Sequence, residues 1–323
     1  MDARRVSQDS KPGHAGDRRT LIKGEGSVLL RITATLLAFA AMATAALAQD
    51  GPRAYHLVPE DTHIISFTTT FVHAENVNGV FDGGVLTPSY RQTFDLFGNV
   101  GAILIGIPVG GVSASLGGGV VEIDTDIAQG DLFLGGLVGL VGSPSLSPME
   151  YAQYHPGLRV AVGGKLYLPT GDYDPDRMIN LGGNRWSLHA VLPISYVLGD
   201  TMLDPDLTTF EIVPSVHIFG DNDDPYGADV MSQDPIWGLQ GHITHNFNPM
   251  IWASLDGMYE FGGETTVNGV AQDDAEEQFT LGATLGVTLS SSFAMRFSYE
   301  EVVYSSEPDT TSRGFQATGS FLF

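Results

Sequence analysis

The side chains most able to do chemistry in this chain sit in stretches of alternating polarity. Arg91, Asp95, Arg159, Lys165, Glu211, Asp256, Arg296 and Glu300 each lie on the parity opposite a run of apolar neighbours. Arg296 and Glu300, with Ser298, oppose Phe293, Met295, Phe297 and Tyr299. Arg159 and Lys165 oppose Leu158, Val160, Val162 and Leu166. Successive side chains of a strand face opposite ways, so each such segment has one apolar and one polar face. The charges on the polar faces have two uses. Arg91, Arg159, Lys165 and Arg296 can pair with Asp95, Glu211, Asp256 and Glu300 and brace a wall. They can also set ion selectivity, or hold a carboxylate, phenolate or other anion.

Other chemistries find less support. Nucleophilic catalysis needs a Ser and a His within hydrogen-bond reach and a third group to orient the His. Ser187 and His189 share a parity on one strand, which holds them ~7 Å apart, and no G-x-S-x-G occurs. An enzyme is therefore not expected. His242 and His245 are three apart and point to opposite faces. Asp172, Asp174 and Asp176 open like a calcium loop, but Arg177 and Gly183 stand where it needs Gly and a bidentate Glu. We expect no resident metal and no cofactor. The chain has no Cys, which excludes disulfides, thiolate metal sites and thiol nucleophiles. Its formal charge of −23 argues against nucleic acid, which attracts a basic surface.

The elements that must position these residues are short and even. Segments of alternating polarity fall near residues 62–73, 89–97, 100–109, 131–142, 157–169, 184–198, 207–219, 235–247, 250–262, 277–290, 292–305 and 312–323. Twelve is an even number, as single-chain bacterial barrels have. In Gln278–Leu289 the polar parity is Gln, Thr and Gly rather than charge, which suits a wall facing a lumen. Connections after even strands are mostly short: Gly98-Asn99, Asn248-Pro249 and Ser290-Ser291, although 143–156 is long and carries Pro144, Pro148 and Pro156. Those after odd strands (74–88, 110–130, 170–183, 220–234, 263–276, 306–311) are expected to be long outer loops, several of them acidic. A β-sandwich would alternate too, but it would carry charge on its outside. The fold expected is all-β: an antiparallel transmembrane β-barrel of about 12 strands, of outer-membrane type, spanning 62–323.

The front of the chain carries an address. Arg4, Arg5, Arg18, Arg19, Lys23 and Arg31 precede the apolar run Ile32–Thr44, and Ala46-Leu47-Ala48 follows. This pattern predicts a cleaved signal peptide over 1–48. Without it the chain has 275 residues, eight of them basic and 34 acidic. Residues 49–61 have no place in the strand count and either lie in the periplasm or enter the barrel as a plug. The last strand ends Phe321-Leu322-Phe323. A terminal aromatic on an amphipathic strand resembles the signal read by the outer-membrane assembly machinery, with Phe321 and Phe323 as its residues.

One stretch carries a family likeness. Leu168-Pro169-Thr170-Gly171-Asp172-Tyr173-Asp174, followed by Asn180-Leu181-Gly182-Gly183-Asn184-Arg185-Trp186-Ser187, resembles a hallmark of the outer-membrane transporters named for the meta-pathway of phenol degradation. Arg53-Ala54-Tyr55-His56-Leu57-Val58-Pro59 and Tyr90–Gly98 leading to Ile107-Pro108 are similar as well. The likeness covers roughly 53–323 and departs at Gly182-Gly183, where fewer glycines are expected. It implies a Gram-negative outer-membrane channel for passive uptake of a small solute, aromatic or hydrophobic. It also implies that Tyr173, Asn180, Asn184, Arg185 and Trp186 fold an outer loop against the wall, chiefly in a structural role. The competing reading is a structural or adhesive barrel without an open pore, whose acidic loops meet lipopolysaccharide; outer-membrane lipid is a partner in either case.

Overall fold

The computed structural model describes residues 50–323 apart from 78, 118, 120 and 308. The expected signal peptide lies outside the described residues. Twelve antiparallel strands close into a barrel: β1 (His63–Asn76), β2 (Gly79–Leu96), β3 (Asn99–Gly106), β4 (Phe133–Val141), β5 (Leu158–Tyr167), β6 (Ser187–Val191 and Ile194–Leu198), β7 (Thr208–Phe219), β8 (Ile236–Asn246), β9 (Ile251–Gly262), β10 (Glu276–Ser290), β11 (Phe293–Ser305) and β12 (Thr311–Leu322). Each pairs with its chain neighbours, and β12 closes on β1 from Ile64↔Leu322 to Glu75↔Thr311. Closure leaves no edge, the condition for spanning a bilayer with strands. β6 is broken at Leu192-Pro193, because proline has no N–H for the ladder.

The outward parity is apolar and bare. Phe71, Leu239, Ile243, Leu255 (69% exposed), Leu281 and Phe315 all lie on it. Trp186, Trp237 and Phe261 ring one end of the barrel, and Tyr196, Phe210 and Phe321 the other. Such an apolar band between aromatic girdles is the surface that lipid wets.

Two of the expected outer loops are not loops. Residues 74–88 continue β1 and β2 as a long hairpin, and 110–130 contain strands Val109–Leu116 and Val121–Asp124, the former running up β2 from Leu86↔Val109 to Gly79↔Leu116. The inward residues Ala74, Phe81, Val112, Ala114 and Leu116 bury one another together with Ile179. A small apolar core of its own stabilises this extension, where the Gly-rich sequence had pointed to solvated loop.

At the opposite end, which carries the short turns, the 143–156 connection contains a helix α1 (Pro148–Gln153). Ser147 and Glu150 form a capping box at its start. Leu146, Tyr151 and Tyr154 pack on Leu57, Val100, Val197, Met202 and Leu207 and fill part of the barrel mouth.

Candidate functional site in the barrel lumen

Residues 50–62, ahead of β1, lie inside the barrel. The segment makes two tight turns, Ala54 N to Gly51 O and His56 N to Arg53 O, with Arg53 in left-handed backbone at φ 61°. This shape leaves the carbonyls of Pro52, Ala54 and Tyr55 without partners in the segment. Buried carbonyls need donors, and the wall supplies them. Arg296 Nη1 donates to Pro52 O (3.1 Å), Arg91 Nη1 to Ala54 O (2.9 Å) and Arg159 Nη2 to Tyr55 O (3.2 Å). Lys165 Nζ meets Asp50 Oδ1 at 2.5 Å, and Tyr55 Oη donates to Asp50 Oδ2. Arg53 donates to Thr244 and lies 4.4 Å over the Trp252 ring. Lower down, His56 contacts Thr209, Thr93 donates to Pro59 O, and Leu57 sits in the apolar cluster at the turn end.

The four lumen cations therefore do not pair with the four carboxylates expected for them; they hold the inner segment. Asp95 stands exposed at the turn-end rim and accepts from the Gly98 N–H. Asp256 is held by His242 Nδ1 (2.8 Å), Ser254 and Thr284. Glu211 is buried beside Arg159, Arg53 and His242. Glu300 points inward against Gly314, where an added Cβ would meet its Oε1 at 2.6 Å. The partners of these residues are thus other than the cation–carboxylate pairs that alternation suggested.

Beside the segment runs one cavity of about 660 Å³. Its upper part, towards the loop end, borders Phe133, Lys165, Tyr167, His189, His217 and Phe219. Along β1, β11 and β12 it borders Thr70, Thr68, Ser66, Thr318, Ser320 and Ala294, the last two close to the turn end. Ser66 bonds Ser320 and Thr68 bonds Thr318 across the strands, so this wall is a ladder of hydroxyls. Ser187 does touch a histidine, but it is His217 on the neighbouring strand (3.0 Å), not His189. Among the described residues no carboxylate hydrogen-bonds His217.

The loop motif roofs the cavity. Tyr173 Oη donates to Asp224 O and accepts from Asn222 Nδ2; Asn184, at φ 51°, donates to the Asn222 Oδ1. Asn180 closes its own loop through Asp174 N, Asp174 O and Arg177 O. Arg185 lies 4.5 Å over Phe219 and donates to Gln233, while Trp186 faces outward into the girdle. The extra glycines have a steric reason: a Cβ on Gly182 would meet Gly171 C at 2.8 Å, so two backbones cross in contact. Asp131, which alternation could not single out, accepts from the N–H groups of Thr170, Gly171 and Gly183. Burial raises its pKa even so, against those three bonds and Arg185.

Residues 67–315 match the family described as "Putative MetA-pathway of phenol degradation". The chain belongs to that family. It is similar in fold to an outer-membrane channel from Pseudomonas putida F1, 19% identical, over 85% of this chain and 100% of that one, with TM-score 0.71. A toluene transporter of Pseudomonas putida is more distant, at 8% identity over 84% of this chain and 91% of that one, TM-score 0.44. No curated protein matches the sequence. The family match excludes the ends of the chain, so Asp50, Arg53 and Tyr55 of the inner segment fall outside it. A pattern search for strands passes over these residues, as it does over Asn222 in the roof. The signal available was on β5, whose two inward cations, Arg159 and Lys165, have no acid on their own strand.

Proposed function

We propose that the protein is an outer-membrane channel for passive uptake of small compounds, aromatic or otherwise hydrophobic, which pass beside an inner plug formed by residues 50–61. The observation that carries this reading is the single cavity reaching from beneath the loop roof to Ser320 and Ala294 along the hydroxyl wall. Hydroxyls shed and regain water easily, whereas apolar rings above them attract the solute. The loop end would face outward and the turn end the periplasm, since long connections in such barrels are extracellular. Signal-peptide cleavage ahead of the plug, Phe321 and Phe323 as the assembly signal, and acidic loops beside lipopolysaccharide belong to the same proposal.

One observation favours a closed, structural barrel instead. The turn-end cluster of Leu57, Tyr151, Tyr154, Met202 and Leu207 fills part of the mouth, and the wall cations are engaged. Single-channel recording in planar bilayers separates the two. The full chain without its leader should give a small, steady conductance, and deletion of 50–61 should raise it by roughly an order of magnitude, because pore current follows open cross-section. Silence in both forms would sink the channel and leave the structural barrel.

A further inference from the structure

The upper cavity wall is a lattice of rings framed by two cations. Phe133 pairs with Tyr167, Tyr167 with Ser187 and Ser187 with Phe219 across four strands; one step down, Lys165 pairs with His189 and His189 with His217. The ring centroids are close: Phe133–Tyr167 5.5 Å, Tyr167–His217 5.9 Å, His189–His217 5.6 Å and His217–Phe219 4.3 Å. All four are tilted ring contacts, and the same rings border the cavity. Lys165 marks the lower edge, 5.5 Å from the Phe133 ring, and Arg185 the upper edge. Among the described residues, two buried nitrogens on this wall have no hydrogen-bond partner, Arg185 Nη1 and His189 Nδ1.

Against the lower edge the inner segment places its own carboxylate, Asp50, tied to Lys165 and to the phenol of Tyr55. We propose that this wall is a binding site for a planar aromatic monocarboxylate, and that Asp50 holds the ligand's anion position from within. The inference rests on the channel reading for its biological sense, though not for its chemistry. A ring stacks on the His–Tyr–Phe lattice, its carboxylate takes Lys165, and the cavity volume falls in the range of small-molecule sites. A neutral ring makes no charge-assisted hydrogen bond to Lys165 and so binds more weakly. A small anion without a ring gains nothing from the lattice. Because ligand and Asp50 compete for one ammonium, binding and docking of the inner segment oppose each other reciprocally. The solute would loosen the plug that it must pass.

Calorimetry on the full chain without its leader, refolded in detergent, tests this with benzoate as probe. Asp50→Asn removes the competing charge and leaves the wall intact, so benzoate should bind about tenfold tighter to it, the scale of one charge-assisted hydrogen bond. Benzamide and acetate should bind about tenfold or more weakly to either form, and Lys165→Met should lose benzoate binding. Heat-modifiable gel mobility checks that Lys165→Met is a closed barrel; if it is not, the Asp50→Asn comparison alone decides. Equal benzoate affinity in wild type and Asp50→Asn, or benzamide binding as well as benzoate, overturns the proposal. A barrel that conducts but does not bind benzoate loses this site and keeps the channel. One that binds benzoate but stays silent with and without 50–61 keeps the site and loses the channel.

Discussion

The two halves of the lumen are built from the same alternation and end in opposite states. On the side of β2, β5, β7 and β8, below the ring wall, the inward residues are held against residues 50–62, through Arg91, Arg159, Thr209 and Thr244 and the apolar cluster around Leu57. On the side of β1, β11 and β12 the inward residues are Ser66, Thr68, Thr70, Thr318 and Ser320, bonded mostly to one another, and the cavity runs along them. The difference lies in reach. Arginine can span a lumen to meet a carbonyl, whereas Ser and Thr satisfy themselves across a strand pair and leave the space open. Arg296, on β11, marks the border: it reaches Pro52 O with one nitrogen and Gln316 of its own wall with another.

Leu57→Ala should break the contrast most strongly. Leu57 is 2% exposed at the centre of the turn-end cluster, and large-to-small changes at such sites cost ~2–5 kcal/mol. The loss falls on docking of the segment rather than on the strand ladder, which closes on itself through β12 and β1. Amide hydrogen exchange should show residues 52–58 losing protection while β1, β11 and β12 keep theirs. Loss of protection throughout the barrel would mean that the segment is part of the barrel's own stability. Arg159→Met comes next. It leaves the Tyr55 carbonyl with one donor fewer and removes one of the positive charges beside Glu211, at ~1–3 kcal/mol for an unsatisfied buried group. Brief openings of the conductance should become more frequent, and a Tyr55-centred exchange change should accompany them.

Which parts of this were legible in the sequence follows from range. Strand positions and the face each side chain takes depend on parity, a local property, and β5, β7, β8, β9 and β11 begin and end close to where alternation puts them. Parity says which way Arg91 points but not what it meets. Its partner, the Ala54 carbonyl, lies 37 residues away and belongs to a segment with no alternation at all. The β1–β2 extension was missed for a related reason. Gly83, Gly84 and Asp82 look like turn residues, and only the tertiary burial of Phe81 against Ala74 and Leu116 makes that stretch a strand. The loop motif was read as structural from its own residues, whereas the side chains that bond it, Asn222 and Asp131, sit on other connections.

Thr318→Leu sharpens the comparison from the open side. The residue faces the cavity and bonds Thr68; a bulkier side chain narrows the passage where nothing else fills it. Single-channel conductance should fall by about half, with ion preference little changed, and exchange protection of 52–58 should not move. Ser195→Leu, a buried inward position on β6, should leave conductance alone. Equal effects from both would mean that the current does not follow the hydroxyl wall.

The smallest expected effect concerns pH. Burial works to raise the Asp50 pKa, but the Lys165 charge and the donors Lys165 and Tyr55 outweigh it, so the carboxyl sits below the usual aspartate value of 3.8. A depressed carboxylate adds stability that is present above its unfolded pKa and is lost as pH falls through the folded one. The groups that face it are Lys165, Tyr55 and His189. Docking through Asp50 should therefore be constant from neutrality down to the ordinary aspartate range and weaken only in more acid solution. The Asp50 contribution to opening frequency in the bilayer should be flat above pH 5 and change only below about 4. The same scan on Asp50→Asn removes this one contribution while Asp256 and Glu211 still titrate, so the difference between the curves belongs to Asp50. A difference that varies between pH 6 and 8 would mean that a group other than the Asp50 carboxylate sets the latch.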